Sequence, residues 1–385
     1  MDLCNLSSTQ ITVQSLAKDF AKKQVLPKAA LLEKKGEFPT ELFREAHKLG
    51  ILNVTIPENY GGAGLGYLDS ILIAEQLGWA CVGVGAALSL NGMLVDAIHL
   101  GGSDAQKKKY FSKFAEGAVA AFAMTEPGAG SDVAAVKTTA GKKGNDYVLK
   151  GTKTWISNAP VADFFVVFAK TNPSGGRDSM SAFVVDKGTP GLKVTNAFKK
   201  LGQRAFPAAE VVLENAVVSS SQRLGEEGSG FLLAMKIFDR SRPMIAALGV
   251  GLTQRCLDES LQYGESRETM GTSILKHQMI AQKIAEMGMR GQAARLLTYE
   301  SCDRLDKNLP ATLAASYAKT FASDAAVWAS GEAIQIFGGM GYSEEYPVEK
   351  LYRDAKVLQI YEGANEIQRL IMARELVKGS SSKSR

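Results

Sequence analysis

Cysteine and histidine are scarce in this chain, and their scarcity excludes whole classes of chemistry. Among 385 residues there are four cysteines, Cys4, Cys81, Cys256 and Cys302, with no C-x-x-C pair. Isolated thiols suit a reducing compartment and supply neither a disulfide framework nor a zinc site. The three histidines, His47, His99 and His277, never pair at metal-ligand spacing. No metal is therefore expected, and a Ser-His triad has few possible partners. Apolar runs read as too short to span a bilayer. The N-terminal MDLCNLSSTQ has neither a secretory nor an Arg-rich transit profile. No G-x-G-x-x-G is present, because GAGSDV (128–133) and GGMGYS (338–343) both lack the last glycine. A Rossmann nucleotide site is thus unsupported. The net charge of +5 forms no basic stripe of the kind nucleic acid needs, although a mildly positive surface suits an anionic small molecule.

What is present is an ordinary soluble composition, 45% hydrophobic and 22% charged, in a chain too long for one core. Its texture changes twice. Up to about residue 120 it reads as helical, with Val13, Leu16, Ala17 and Phe20 on one helix face and a glycine-rich interruption, PENYGGAGLGY (57–67). From 121 to 226 short β-rich runs follow one another: 146–157, 163–170, 181–188 and 210–218, punctuated by Gly, Asn, Pro and Ser. That spacing predicts an antiparallel barrel or sandwich. From 227 to 378 helical periodicity returns, as in Ile280, Ile284 and Met287, and Pro243 either kinks a helix or opens one. The tail 379–385, GSSSKSR, reads as disordered. The class expected is α+β multidomain: an all-α domain, a middle β-barrel or sandwich, and a four-helix-bundle-like C-terminal domain.

Two stretches attract chemical interest. In AFAMTEPGAGSDV (121–133) a strand-like run leads to Thr125, Pro127 fixes a turn, and Gly128 and Gly130 expose backbone N–H groups beside the Ser131 hydroxyl. Such a set can bind a polar heterocycle edge and an anion, or it is a plain hairpin loop. In QIYEGANEIQ (359–368) the carboxylate of Glu362 lies in a helix break between bulky Tyr361 and permissive Gly363. Ile367, Leu370 and Ile371 are expected to anchor the helix that follows.

Taken in order, TEPGAGSDV (125–133), KTWISN (153–158), FDRSRPMIAALGVG (238–251), QIFGGMGYSEEYPVEKLYRDAK (335–356) and QIYEGANEIQRL (359–370) resemble the acyl-CoA dehydrogenase family, closest to its short- and medium-chain members. The resemblance implies FAD-dependent α,β-dehydrogenation of a saturated acyl-CoA thioester to the trans-2-enoyl-CoA, with electrons passing on to electron-transfer flavoprotein. It implies Glu362 as the base that takes the α-proton while hydride leaves Cβ for flavin N5. Burial beside Tyr361 should raise the basicity of that carboxylate. Ser241 occupies the position where other branches carry the base, and serine cannot serve.

Further roles follow from the same resemblance. Phe122, Met124, Thr125, Gly130, Ser131, Trp155, Ile156 and Ser157 line the flavin, with Ala364 and Glu366 close by. Arg267, Gln278, Gln335, Ile336, Gly338 and Gly339 hold the FAD of a neighbouring subunit, so a homotetramer, a dimer of dimers, is expected. Ser131, Asp239, Arg242, Tyr361 and Gly363 contact substrate, with Arg242 near the CoA adenine and phosphates. Departures are Met270 for a usual aromatic, Ala364 for a usual Thr or Ser, and FPAAE (206–210) for a polar segment. Ser89 and Leu90 fall at the end of the acyl cavity and hint at a short chain. The same fold also serves an acyl-CoA oxidase, an enoyl-CoA reductase or an acyl-CoA lyase, and a non-catalytic helical scaffold is the alternative of another class. The expected compartment is a bacterial cytoplasm or a mitochondrial matrix.

Overall fold

The computed structural model describes residues 6–383, with side chains through residue 378. The N-terminal part contains α1 (Ser8–Phe20), α2 (Ala29–Lys35), α3 (Thr40–Lys48), α4 (Tyr67–Ala80), α5 (Val82–Ser89), α6 (Asn91–Gly101) and α7 (Asp104–Ala115). In α1 the buried side is Ala17 and Phe20, whereas Leu16 is left exposed, so the apolar face is narrower than its periodicity suggests. Val82–Gly101 is, against expectation, long and apolar enough by composition to cross a membrane. Its apolar surface is already covered by protein, with 83% of the stretch buried, and the chain breaks there into α5 and α6.

The middle part is one sheet built from β1 (Ala120–Ala123), β2 (Thr139–Lys143), β3 (Asp146–Ser157), β4 (Phe164–Lys170), β5 (Met180–Asp186), β6 (Leu192–Val194), β7 (Ala208–Ser219) and β8 (Arg223–Leu224). Strand order is β6-β7-β3-β2-β4-β5-β8, with β1 pairing β4. Most pairs are antiparallel, but β1 runs parallel to β4, with Phe122 opposite Val166. β4 reads FFVVFAK because both its faces are buried: Phe165 and Val167 enter the sheet's own core, while Phe164, Val166 and Phe168 face the helices. Continuous apolar runs are the mark of a strand covered on both sides.

The C-terminal part is dominated by α8 (Gly230–Ser266), which passes unbroken through Pro243. After the hairpin of β9 (Glu268–Thr269) and β10 (Thr272–Ser273) come α9 (Gln278–Asp306), α10 (Thr312–Phe337), α11 (Val348–Lys356) and α12 (Asn365–Lys383). The tail expected to be disordered from 379 instead continues α12 to Lys383. Extending an existing helix gains one hydrogen bond per residue fixed. Residues 384–385 lie outside the described residues. Leu370 is 68% exposed rather than an anchor, because no described element covers that face of α12.

The helical parts are locked together by backbone proximity. A Cβ on Gly251 of α8 would lie 2.2 Å from the Glu75 carbonyl oxygen and 2.5 Å from the Trp79 nitrogen of α4. On the other side, a Cβ on Gly78 would meet the Leu248 oxygen at 2.7 Å. Asp306 of α9 caps α4, accepting from the backbone N–H of Tyr67 at 2.6 Å and of Leu68 at 3.1 Å. Buried Glu75 accepts from Arg295 Nε at 3.0 Å. Gly251→Ala forces two backbones apart and should destabilise the fold by about 3 kcal/mol, the upper end of ordinary overpacking. A lowered thermal midpoint checks this, and a wild-type midpoint would contradict the close crossing.

Candidate active site

Between α11 and α12 the chain makes a short 3-10 turn, Val357–Gln359, and then runs without helix to Ala364. Glu362 and Gly363 both have left-handed backbone, with φ of 56° and 89°. Glycine tolerates this, and a Cβ there would lie 2.4 Å from Gln368 Nε2, displacing an amide that holds the turn. A glutamate in that region costs free energy unless its surroundings hold it. Those holds are visible. The Lys319 amine, on α10, donates to the Gly363 carbonyl at 2.8 Å and to Asn365 Oδ1 at 2.8 Å. The Gln368 amide donates to the carbonyls of Glu362 at 3.3 Å and Gly363 at 3.2 Å. Asn365 is fixed in turn by donating to Ser323 Oγ and Asp324 Oδ1. Lys319 is fully buried, and burial pulls its amine down to about 7, with the Glu362 charge opposing.

The Glu362 carboxyl points at α8. Ser241 Oγ donates to Glu362 Oε2 at 2.6 Å, and Arg242 Nε reaches the Glu362 carbonyl at 3.5 Å. Burial pushes this carboxyl above the ordinary glutamate range, while the Ser241 hydroxyl, Arg242 and Lys319 pull against that rise. Arg242 was expected at the adenine and phosphates. It is buried here, bonded through Nη1 to Asp239 Oδ1 at 2.8 Å, and braces the base from beneath. Asp239 accepts a second hydrogen bond from Thr312 at 2.6 Å and lines an open groove with Arg240, Asn308 and Pro310. Tyr361, beside the base, has its hydroxyl 3.4 Å from Gln203, whose own amide donates to the Asp354 carbonyl at 2.9 Å.

A second cluster joins the two β-domain motifs. The Thr154 N–H donates to the Thr125 carbonyl at 2.9 Å, stitching TEPGAGSDV to KTWISN. Beneath them buried Lys153 donates to Glu126 Oε1 at 2.7 Å and to the Met124 carbonyl at 3.0 Å. Glu126 also accepts from the backbone N–H groups of Lys137 and Thr138. Burial would raise the Glu126 carboxyl, yet Lys153 and these donors leave it below the usual value. Sequence reasoning missed both residues. The signal was a charged pair set inside two ligand-like loops, which is where a buried ion pair fixes backbone.

Trp155 sits at a register shift of β3 against β7, with φ of 59°, and its indole is 57% exposed over Phe198. A bulge of this kind re-aims a side chain outward. Ile156, by contrast, is 1% exposed inside the sheet's core, so only its backbone can meet a ligand there. Met124 is buried in the same way, and Phe122 is wedged between Phe168 and Phe238.

The remaining predicted residues gather elsewhere, at one end of the helical domain. Tyr263 of α8 stacks on Phe337 of α10 at 4.1 Å, joining the Arg267 hairpin to the 335–342 turn. Arg267, Gln278, Gln335, Gly338 and Gly339 are exposed there, while Ile336 is buried. Among the described residues no hydrogen bond or ring contact ties this end to Trp155. Met270, in the hairpin, is 97% exposed. Ala364 precedes α12 and its carbonyl accepts from the Gln368 N–H, a position where Ser or Thr would also cap the helix. Glu366 is exposed on the first turn of α12.

The two loops suit a flat heterocycle with a polar edge. No described residue engages the hydroxyls of Thr125, Ser131 or Ser157, a large indole stands exposed beside them, and open space lies over Gly128 and Gly130. Such a shelf in the β domain, in a chain that also holds a half-buried carboxyl at the α11–α12 junction, suits one class: an α+β oxidoreductase pairing a flavin-like group with a base. Comparison with known proteins makes this specific. The acyl-CoA dehydrogenase N-terminal, middle and C-terminal domain models match residues 7–118, 121–216 and 228–377. An acyl-CoA dehydrogenase of Bacillus subtilis (strain 168) is 41% identical over 378 residues, covering 98% of this chain and 100% of that protein. Butyryl-CoA dehydrogenase from Megasphaera elsdenii superimposes with a TM-score of 0.95 at 38% identity, over 97% of this chain and 99% of that one. A chain from the structure of the electron transferring flavoprotein of Acidaminococcus fermentans gives a TM-score of 0.95 at 38% identity, covering 97% and 98%. The protein belongs to the acyl-CoA dehydrogenase family. It is an enzyme of that family and uses FAD.

Lys319→Met keeps the buried stem but removes the short hydrogen bonds to the Gly363 carbonyl and Asn365 Oδ1, leaving only the longer ones from Gln368 at 3.2 Å and Ser323 at 3.3 Å. It should cost about 2–4 kcal/mol, read as a lowered thermal midpoint. A midpoint equal to wild type would show that the junction does not rely on the amine.

Proposed function

We propose that this enzyme oxidises a short saturated acyl-CoA to the trans-2-enoyl-CoA, with Glu362 as the base that removes the α-proton. The observation that supports this best is the half-buried, left-handed Glu362, whose surroundings hold its carboxyl above the ordinary range. A carboxylate so placed is a stronger base than a solvated one. FAD, when bound, supplies the acceptor for the hydride leaving Cβ. Thr125, Ser131, Ser157 and Trp155 would hold its flavin, and Arg267, Gln278 and Gln335 to Gly339 would hold the diphosphate end of a second copy's cofactor. That sharing, with the uncovered apolar side chains Ile360, Leu370 and Met270, favours the homotetramer, a dimer of dimers.

The residues of this chain divide the remaining work. Acidifying the α-proton needs donors at the thioester carbonyl. The Glu362 backbone N–H, which no described carbonyl engages, is suitably placed to be one. Gly363 leaves room beside it, and Tyr361 shields the carboxyl from water. Lys319, Gln368 and Arg242 keep the turn from relaxing as the charge moves.

Chain length is read from the pocket against Ser241. Its wall comprises Tyr67, Ser89, Met93, Asp96, Arg240 and Met244, and the Tyr67 hydroxyl donates to Asp96 at 2.6 Å. Burial pushes the Asp96 carboxyl up to about 7. The cavity is only about 30 Å³, which leaves a long hydrocarbon no room beside that polar wall. The electron acceptor proposed is an electron-transfer flavoprotein, and the compartment a bacterial cytoplasm or mitochondrial matrix.

Anaerobic bleaching of the flavin by butyryl-CoA tests the reaction. Glu362→Gln should retain the yellow cofactor while slowing bleaching by about 10²–10⁴-fold. Near-wild-type bleaching in that variant would sink the assignment. In a series from butyryl- to octanoyl-CoA, kcat/KM should favour the shorter end by at least about tenfold. A preference for octanoyl-CoA would overturn the short-chain reading.

A further inference from the structure

Consecutive residues of α8 grip one residue of the catalytic junction at two points. Ser241 donates to the Glu362 carboxylate at Oε2, and Arg242 reaches the carbonyl of the same residue. Ser241 is 4% exposed, so its hydroxyl has no competing bulk water. Its Oγ lies 3.4 Å from the Phe238 carbonyl, a poor alternative to the 2.6 Å contact with the carboxylate. The other carboxylate oxygen, Oε1, accepts no hydrogen bond from any described residue. One oxygen is therefore held and the other is left available.

We propose that Ser241 is a positioning residue that holds Glu362 by Oε2, so that Oε1 is the oxygen that receives the substrate's α-proton. The inference rests on Glu362 being the base. In chemical balance, the C–H bond at Cα breaks, its proton forms an O–H bond at Oε1, and the electron pair stays on the thioester. Ser241 neither gains nor loses a proton. A free carboxylate could present either oxygen by rotating about its terminal torsion, whose preference is broad. The Ser241 hydroxyl removes that freedom.

The hydroxyl also favours the ionised form of the base, because it donates to the charged oxygen. The charged groups facing the carboxyl are Arg242 on α8 and Lys319 on α10, with the Tyr361 hydroxyl as the neighbouring titratable group. Removing the hydroxyl leaves burial opposed only by the two cations. The base then protonates at higher pH, and the acid limb of the rate profile moves up.

The test compares wild-type holoenzyme with Ser241→Ala, Ser241→Val and Ser241→Thr, by rapid-mixing flavin reduction with butyryl-CoA across pH. Loss of a hydrogen bond to a charged group predicts an acid limb about one pH unit higher in the alanine and valine enzymes. Threonine, which keeps the hydroxyl with the bulk of valine, should restore the wild-type limb. A uniform rate loss at every pH, or a valine enzyme matching threonine, would overturn the proposal. Infrared titration of the Glu362 carboxyl band, assigned by its disappearance in Glu362→Gln, reports on the contact without turnover. Its midpoint should rise by the same amount in Ser241→Ala, and an unmoved midpoint would overturn the proposal. A midpoint that rises in an enzyme no acyl-CoA can reduce supports the Ser241 contact and removes only the reaction assigned to it.

Discussion

A carboxylate inside a helix junction survives only if the strained backbone beneath it is held from outside, and here the holding is done by two long helices. Lys319 of α10 takes the Gly363 carbonyl, and Ser241 and Arg242 of α8 take the side chain and carbonyl of Glu362. Both helices must therefore stand at a fixed distance from the α11–α12 junction. That distance is inherited from elsewhere. Gly251 and Gly78 let α8 and α4 approach until their backbones touch, and Asp306 of α9 closes the first turn of α4. A glycine far from any substrate thus shares responsibility for the direction in which the base points.

The two halves of the site are built by opposite means. The helix junction is positioned by polar side chains reaching across from other helices. The β-domain shelf is positioned by backbone, through the pairing of Thr125 with Thr154 and the bulge that turns Trp155 outward. In both places one buried amine anchors a loop. Lys153 draws together Glu126 and the Met124 carbonyl, as Lys319 draws together the Gly363 carbonyl and Asn365. An ammonium with several acceptors is suited to this work because it can satisfy separate segments at once. The result is two loops, each held from beneath by a buried amine, and a group fixed in that way needs no reorganisation before it acts.

Legibility in the sequence differed by element. The runs 146–157 and 163–170 became β3 and β4 almost without adjustment, because their apolar periodicity reports burial directly. β1, one of two parallel neighbours of β4, escaped notice, since it is four residues long and its pairing joins segments about forty residues apart. The tail reading and the reading of every apolar run as too short failed for a related reason. Whether α12 continues past 378, or whether Val82–Gly101 meets protein or lipid, depends on neighbours that periodicity does not name. Glu362 and Trp155 stood out because each is an odd residue in its local context. Lys319 and Lys153 did not, as a lysine in a helix or strand ordinarily points to solvent.

By itself the sequence determined the three successive textures of the chain, its longer strands, and which family's motifs it contains. These are local properties, decided by side-chain shape and by spacing along the chain. Only the tertiary structure decided that Ser241 touches one oxygen of Glu362, that Arg242 braces the base from within, and that Lys319 holds the turn. Those contacts join positions 44 to 121 residues apart. No periodicity spans such separations, because the partners meet only after the helices have packed.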